Sequence, residues 1–144
     1  MEHIVIEQMK RSDLPQVVEL QRTILPFEVD EERARARYDQ LMEREDHVIL
    51  AAKEGAQVLG TATVICCQAL SGNFLVVEDV VVKPGLTGKG IGGLLLEAGD
   101  RCAAQLDGAY AILVSSGFRT DAHRFYYNHG FNEDVRGFRK VYHP

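Results

Sequence analysis

Apolar residues change their spacing several times along this chain, and the changes predict where strands and helices begin and end. In residues His3–Met9, isoleucines occupy alternate positions, which predicts a first strand. Ser12 and Asp13 then offer a helix N-cap, and apolar residues follow at helical spacing as far as Leu25. This helix should stop before Pro26, because the residue preceding a proline disfavours helical geometry.

The middle of the chain predicts a charged helix followed by three strands. The helix covers Asp30–Glu43 and has few apolar anchors, so it should be mostly solvated. Two apolar runs, His47–Lys53 and Gln57–Gln68, are separated by a short glycine-containing turn, which is a hairpin signal. A third run, Val76–Val82, is rich in valine and has the composition of a buried strand.

The last third predicts a helix with one apolar stripe, a short strand, a second helix and a closing hairpin. The corresponding segments are Ile91–Leu106, Ala109–Val114, Thr120 or Asp121 to His129, and the pair Phe131–Val135 with Gly137–Tyr142. Hairpins mixed with a strand-helix-strand crossover indicate a mixed α/β (α+β) sheet with helices on both sides.

Composition fits one domain and excludes several classes of protein. A chain of 144 residues that is 46% hydrophobic suits a single domain over residues 1–144. The net charge of −5 argues against a nucleic-acid partner and favours a small amine. No apolar run approaches the roughly 18 residues of a membrane span, and the N-terminus has no signal-peptide pattern. We therefore expect a cytoplasmic protein without a membrane partner.

Cysteines and histidines show no spacing typical of a disulfide framework or a metal site. We expect buried, reduced thiols and no metal. The residues concerned are Cys66, Cys67, Cys102, His3, His47, His129 and His143.

A glycine-rich loop joins the valine strand to the following helix. Gly88, Gly90, Gly92 and Gly93 allow close approach of a ligand to free backbone N–H groups, and the helix N-terminus favours an anion. The loop contains G-x-G-x-x-G, but the next strand does not end in the acidic residue of a dinucleotide fold. A triphosphate P-loop is excluded because Gly90 follows Lys89. A phosphate or pyrophosphate site is the remaining prediction.

Two motifs resemble the GNAT superfamily of acetyl-CoA-dependent N-acetyltransferases. Thr87–Gly92 matches the family's Q/R-x-x-G-x-G/A loop, with Thr87 in place of the usual Arg or Gln. Ala122–Phe131 matches its late A-x-x-F-Y-x-x-x-G-F/Y pattern. The resemblance implies a GNAT fold, with a mixed, mostly antiparallel twisted sheet of about six or seven strands flanked by about four helices.

The resemblance also implies acetyl-CoA as cosubstrate and no metal. Backbone N–H groups of Val80, Val81 and Val82 would hold the pantetheine arm, and Phe125 would lie near the cofactor or pack within its helix. The pyrophosphate would be held by the loop residues Thr87, Gly88, Lys89, Gly90, Ile91, Gly92 and Gly93.

Two residues are the implied catalysts. Tyr126, four residues before Gly130, matches the tyrosine that protonates the departing thiolate, with helix packing as its alternative. Glu78 is the candidate base, acting directly or through a water on the substrate ammonium, with a hydrogen-bonding role in a loop as its alternative. An acid at this position also occurs in the similar glucosamine-6-phosphate and aminoalkylphosphonate acetyltransferases.

The acceptor side has several candidates. Asp79 neighbours Glu78, and strand alternation should turn the two carboxylates to opposite faces. Arg119 and His123, with Arg124, can meet an anionic group on CoA or substrate, although such charges are often only solvated. Phe27 and Glu28, with Asp30, are candidate amine contacts, with helix capping as their alternative.

The predicted activity is acetyl transfer from acetyl-CoA to a primary amine of a small molecule, by direct attack through a tetrahedral intermediate. Protein or peptide acetylation is an alternative, as is an acyl-CoA-binding module without activity, for which Thr87 is the only hint. Homodimers are common in the resembled family, and no feature of the sequence decides this point.

Overall fold

The computed structural model describes residues 3–25, 29–115, 117 and 119–143, which form five strands, four α-helices and one short 3-10 helix (Arg11–Asp13). The predicted order of elements is confirmed from the first strand to the last helix. The strands are β1 (Val5–Gln8), β2 (His47–Glu54), β3 (Gln57–Ala69), β4 (Gly72–Val82) and β5 (Ala111–Leu113), and the helices are α1 (Leu14–Arg22), α2 (Glu31–Leu41), α3 (Ile91–Leu106) and α4 (Thr120–Asn128).

All five strands belong to one sheet in the order β1-β2-β3-β4-β5. The first four are antiparallel to their neighbours, and β5 runs parallel to β4 after the crossover through α3. A parallel neighbour requires such a crossover, because the chain must return to the starting end of the sheet.

Helices cover both faces of the sheet, as the mixed pattern predicts. On the first face, which we call the α1 face, α1 and Tyr38 of α2 cover Met9, Ile49 and Val81. On the opposite α3 face, Ile91 and Leu95 of α3 lie in a cluster with residues of β2, β3 and β4, namely Leu50, Ala52, Leu59, Ala62, Val64, Cys66 and Leu75. The helix α2 has only Tyr38 buried, which confirms that it is mostly solvated.

The predicted closing hairpin is wrong for the described residues, because residues 131–143 contain no strand. The described sheet therefore has five strands instead of six or seven. Val135 is 66% exposed and Phe138 is 90% exposed, so neither half of the expected hairpin buries its apolar side chains. A two-stranded ribbon that buries no apolar face has little to stabilise it.

A buried ion cluster fixes the start of the chain to β2. The ammonium of Lys53 lies 3.0 Å from a carboxylate oxygen of Asp13 and 3.2 Å from one of Glu7. Asp13 is 3% exposed and also accepts a hydrogen bond from the backbone N–H of Lys10 at 2.8 Å. The hydrogen bond to Asp13 raises the pKa of Lys53, so the ammonium stays charged in this cluster.

All three cysteines are among the described residues and are free. Cys66 and Cys102 are buried as predicted, whereas Cys67 is partly exposed because its β3 position faces away from α3. No helix in the described ranges has the length and apolarity needed to cross a bilayer.

The end of α3 carries backbone strain. Asp107 caps the helix with φ +55°, in the left-handed region that glycine adopts without a steric cost. We predict that Asp107→Gly raises the free energy of unfolding by about 0.5–1 kcal/mol. Asp100→Gly, the same change at an exposed position inside α3, should lower it by about 0.3 kcal/mol, because aspartate itself has a low helix propensity. Urea denaturation measures both, and equal effects would show that Asp107 is not strained.

Candidate active site

One extra residue in β4 interrupts its pairing with β3 near the middle of the sheet. The register pairs Glu78 with Thr63 but Val81 with Thr61, so two β4 residues oppose one β3 residue. Asp79, inside the interruption, has φ +52°, which aspartate tolerates better than most residues. This geometry is a β-bulge, a feature that redirects side chains and ends regular pairing.

The bulge reverses which side chains face each helix layer. Leu75 packs on the α3 face, yet Val81, an even number of residues later, packs on the α1 face. Glu78 pairs with Thr63, which pairs with Ile49 of the α1 face, so Glu78 also belongs to that face. The expected alternation of Glu78 and Asp79 does not apply, because it requires a regular strand at this point.

The bulge is followed by an opening between β4 and β5. Pairing between these strands covers only Leu75–Val77 with Ala111–Leu113, whereas β4 continues to Val82. Within the described part of the chain, β4 has no strand partner on this side beyond Val77. Two residues after β5, the hydroxyl oxygen of Ser115 is buried and has no hydrogen-bond partner among the described residues. A buried polar atom at the end of an unpaired strand edge suits a polar ligand.

The two carboxyl groups at the bulge have altered acidities. Partial desolvation raises the pKa of Glu78, the charge of Asp79 raises it further, and Arg139 opposes the effect. Desolvation also raises the pKa of Asp79. When the pKa of a carboxyl group is raised, it lies closer to neutral pH, where the group can exchange protons during turnover.

The glycine loop ends at an uncapped helix N-terminus. Gly88 has φ +80°, and Gly90, the N-cap of α3, has φ +87°, conformations that side chains rarely adopt. No side chain caps α3, and its first turn contains no acidic residue. The first helical hydrogen bond at this end runs from the N–H of Leu94 to the carbonyl of Gly90 at 3.1 Å. The preceding N–H groups are therefore available to an anion.

The structure divides the predicted cofactor residues into exposed and buried sets. Exposed residues occupy the loop itself, at Thr87, Gly88, Lys89 and Gly90. Ile91 is 1% exposed and Val81 is 3% exposed, so each can offer a ligand only its backbone. Val80 and Val82 are partly buried against the α3-face cluster. Gly92 and Gly93 are buried in the first turn of α3, where α4 approaches them.

Tyr126 lies on α4 among other aromatic side chains. Its ring meets Phe125 edge-on at 5.3 Å and Phe131 at 6.2 Å. The hydroxyl makes no hydrogen bond to another residue in the described ranges. Desolvation raises the pKa of Tyr126, although Arg119 partly offsets the effect. The phenol therefore keeps its proton at neutral pH, as a proton donor must.

The structure brings together only some of the residues predicted to contact the acceptor. Arg119 precedes the first residue of α4, and its charge reaches Tyr126, whereas His123 is partly buried on the same helix. Asp30 caps α2 by accepting a hydrogen bond from the N–H of Arg33 at 3.1 Å, so its capping alternative is confirmed. The predicted residues Phe27 and Glu28 lie outside the described residues.

Two features of this region, the bulge and the buried Ser115, are not predicted by the sequence. The bulge cannot be recognised in the sequence, because valines flank Glu78 and Asp79 on both sides and the run is typical of a regular strand. Ser115 is an ordinary residue in a serine-glycine turn, although a serine directly after a strand in a crossover fold is a detectable signal. The described residues contain no group of three or more His, Cys, Asp or Glu side chains arranged for a metal ion.

Comparison with known proteins assigns the family. The family model described as the acetyltransferase (GNAT) family matches residues 14–131. The chain belongs to this family, as its two motifs predict, and GNAT proteins are acetyl-CoA-dependent N-acetyltransferases. Comparison with curated protein sequences gives no match.

Solved structures agree with this fold over nearly the whole chain. A putative acetyltransferase from Agrobacterium tumefaciens has a TM-score of 0.86 and 22% identity, and covers 95% of this chain and 99% of its own. A protein from Bacillus halodurans described as a transcriptional regulator gives 0.89 and 20%, with coverages of 97% and 100%. Glucosamine-6-phosphate N-acetyltransferase from Arabidopsis thaliana gives 0.85 and 21%, with coverages of 98% and 99%.

Proposed function

We propose that the protein transfers an acetyl group from acetyl-CoA to a primary amine of a small molecule by direct attack of the amine on the thioester. The observation that carries the proposal is the β4 bulge, which sets Glu78 beside the opening between β4 and β5. The uncapped N-terminus of α3 follows the same strand, so a base and an anion site are joined by one segment.

The cofactor is proposed to extend from the glycine loop into the opening. N–H groups of residues 88–93 hold the pyrophosphate, and the positive end of α3 favours its charge. The free edge of Val80–Val82 binds the amide groups of the pantetheine arm. The buried hydroxyl of Ser115 supplies a further hydrogen bond near the inner end of the cofactor.

Glu78 and Tyr126 are proposed to move the protons. Glu78 accepts a proton from the substrate ammonium, directly or through a water, and so produces the amine that attacks. As the C–S bond breaks, Tyr126 donates its proton to the departing thiolate, and its raised pKa keeps that proton available. The proton that the attacking nitrogen loses on becoming an amide then restores the phenol, directly or through water. The carboxylates at positions 78 and 79 favour a cationic acceptor, in agreement with the net charge of −5.

An amine panel tests the proposed reaction. Release of free CoA from acetyl-CoA is followed with amino sugars including glucosamine 6-phosphate, with polyamines, aminophosphonates and aminoglycosides, and with lysine peptides. We expect turnover with at least one small amine and none with the peptides. Turnover of peptides alone would support the protein-acetylation alternative, and CoA binding without turnover of any amine would support the module without activity.

Replacement of the proposed acid should slow the chemical step. Tyr126→Phe should lower kcat about 100-fold and remove the loss of activity at alkaline pH, where the wild-type phenol loses its proton. The dissociation constant of CoA, measured by calorimetry, should stay unchanged. Tyr127→Phe is the matched control, since Tyr127 is 62% exposed on the same helix. Wild-type kcat in Tyr126→Phe at every pH would exclude the acid role.

The charge of Asp79 should contribute to the acidic limit of activity. Glu78 must be unprotonated, and desolvation together with the charge of Asp79 raises its pKa, so activity falls as the pH drops through that raised value. Asp79→Asn removes the neighbouring charge and keeps a residue that tolerates positive φ, so the acidic limb of kcat should move to lower pH. Asp100→Asn, an exposed position on α3, is the control. An acidic limb that is unchanged in Glu78→Gln would exclude Glu78 as the base.

A further inference from the structure

Two glycines in the first turn of α3 form a notch into which α4 fits. We define the notch as Gly92 and Gly93. A Cβ atom at Gly92 would lie 2.8 Å from the ring of Phe125, and one at Gly93 would lie 2.8 Å from Nε2 of His129. Real Cβ atoms essentially never approach heavy atoms so closely. At Gly99, two turns further along the same helix, a Cβ would meet Val64 at an ordinary 3.7 Å.

The His129 ring has a fixed orientation before it enters the notch. Its Nδ1 lies 2.8 Å from the backbone carbonyl of Phe125, and since a carbonyl only accepts, Nδ1 carries the hydrogen and donates it. The ring also lies 4.5 Å from the ring of Phe125. His129 therefore folds back over the last turn of α4 and presents its other nitrogen to Gly93.

The notch matters because it contacts Phe125 of α4 and His129 at the C-cap of α4, a helix that is only partly buried. None of its residues, Thr120–Asn128, is buried, so the hydrophobic core does not define where the helix lies. Phe125 and His129, which contact the notch, stand on either side of Tyr126 in the sequence. A shift of α4 along or away from α3 would move the Tyr126 hydroxyl by a similar distance.

We propose that Gly93 and His129 are positioning residues that hold Tyr126 at a fixed distance from the cofactor end of α3. This inference rests on the proposed acid role of Tyr126. The first turn of α3 is also the proposed pyrophosphate site, so one turn of helix locates both the cofactor and its proton donor. Each glycine destabilises the helix relative to alanine. The close approach of α4 explains why glycine is nevertheless present at these two positions. Misplacement of a catalytic group by about 1 Å can lower a rate about 100-fold.

A cycle of variants tests the coupling. Gly93→Ala should lower kcat about 10- to 100-fold with little change in the KM for the amine, because its methyl group displaces His129 and α4. His129→Ala should have a smaller effect, since it loosens α4 without a clash. The double variant should recover to the level of His129→Ala, because the smaller side chain leaves room for the methyl group. Gly99→Ala, which has space for its methyl group, should keep wild-type kcat.

The controls separate this inference from the acid role itself. Circular dichroism verifies folding, and the double variant provides a second readout if Gly93→Ala alone is poorly folded. Wild-type kcat and pH profile in Gly93→Ala would overturn the positioning role. The same conclusion would follow if the separate effects of Gly93→Ala and His129→Ala on kcat simply multiplied in the double variant. If Tyr126→Phe is slow and Gly93→Ala lowers its kcat by the same factor as in wild type, the notch does not act through Tyr126. Full activity in Tyr126→Phe would instead overturn the proposed acid.

Discussion

A single extra residue in β4 is the constraint on which the rest of the site depends. Regular pairing would continue the alternation that turns Leu75 toward α3, and Val81 would then also face α3. With the bulge at Asp79, Val81 instead packs on the α1 face and Val80 and Val82 pack against the α3 face, while Glu78 stays on the α1 face. Aspartate is suited to this point, because its short polar side chain tolerates positive φ at a smaller cost than a branched residue.

The helix α3 serves three parts of the molecule with three different surfaces. Its apolar stripe, from Ile91 to Cys102, joins the sheet. Its N-terminus leaves backbone N–H groups free at the glycine loop, and its first turn receives α4. Because one rigid element carries all three contacts, the loop and α4 have fixed positions relative to the sheet even though both are largely exposed.

Periodicity predicts those elements of this chain that bury a regular face, and it is weaker where structure depends on contacts between distant segments. The stripe of α3 and the hairpin of β2 and β3 are local patterns, and both are confirmed. The Asp79 bulge depends on how β3 pairs with β4, which valine-rich composition does not reveal. The closing hairpin is predicted from short runs of apolar residues, but in the structure the large apolar side chains of these runs are mostly exposed. Gly92 and Gly93 illustrate a further limit, because the sequence cannot show that α4 approaches them.

The parallel pairing of β5 has a consequence for how the molecule opens. The strands β2, β3 and β4 form a meander with short turns, whereas β5 reaches β4 only after the chain closes a long loop through α3. Closing that loop costs more conformational entropy than closing a hairpin, so this edge should be among the first to open in local unfolding and the first to exchange its amide hydrogens. A ligand that spans the glycine loop and the gap beside β5, as proposed for acetyl-CoA, would bind only the closed form. Its binding would therefore stabilise the least stable edge of the sheet, and amide hydrogens at that edge would exchange more slowly.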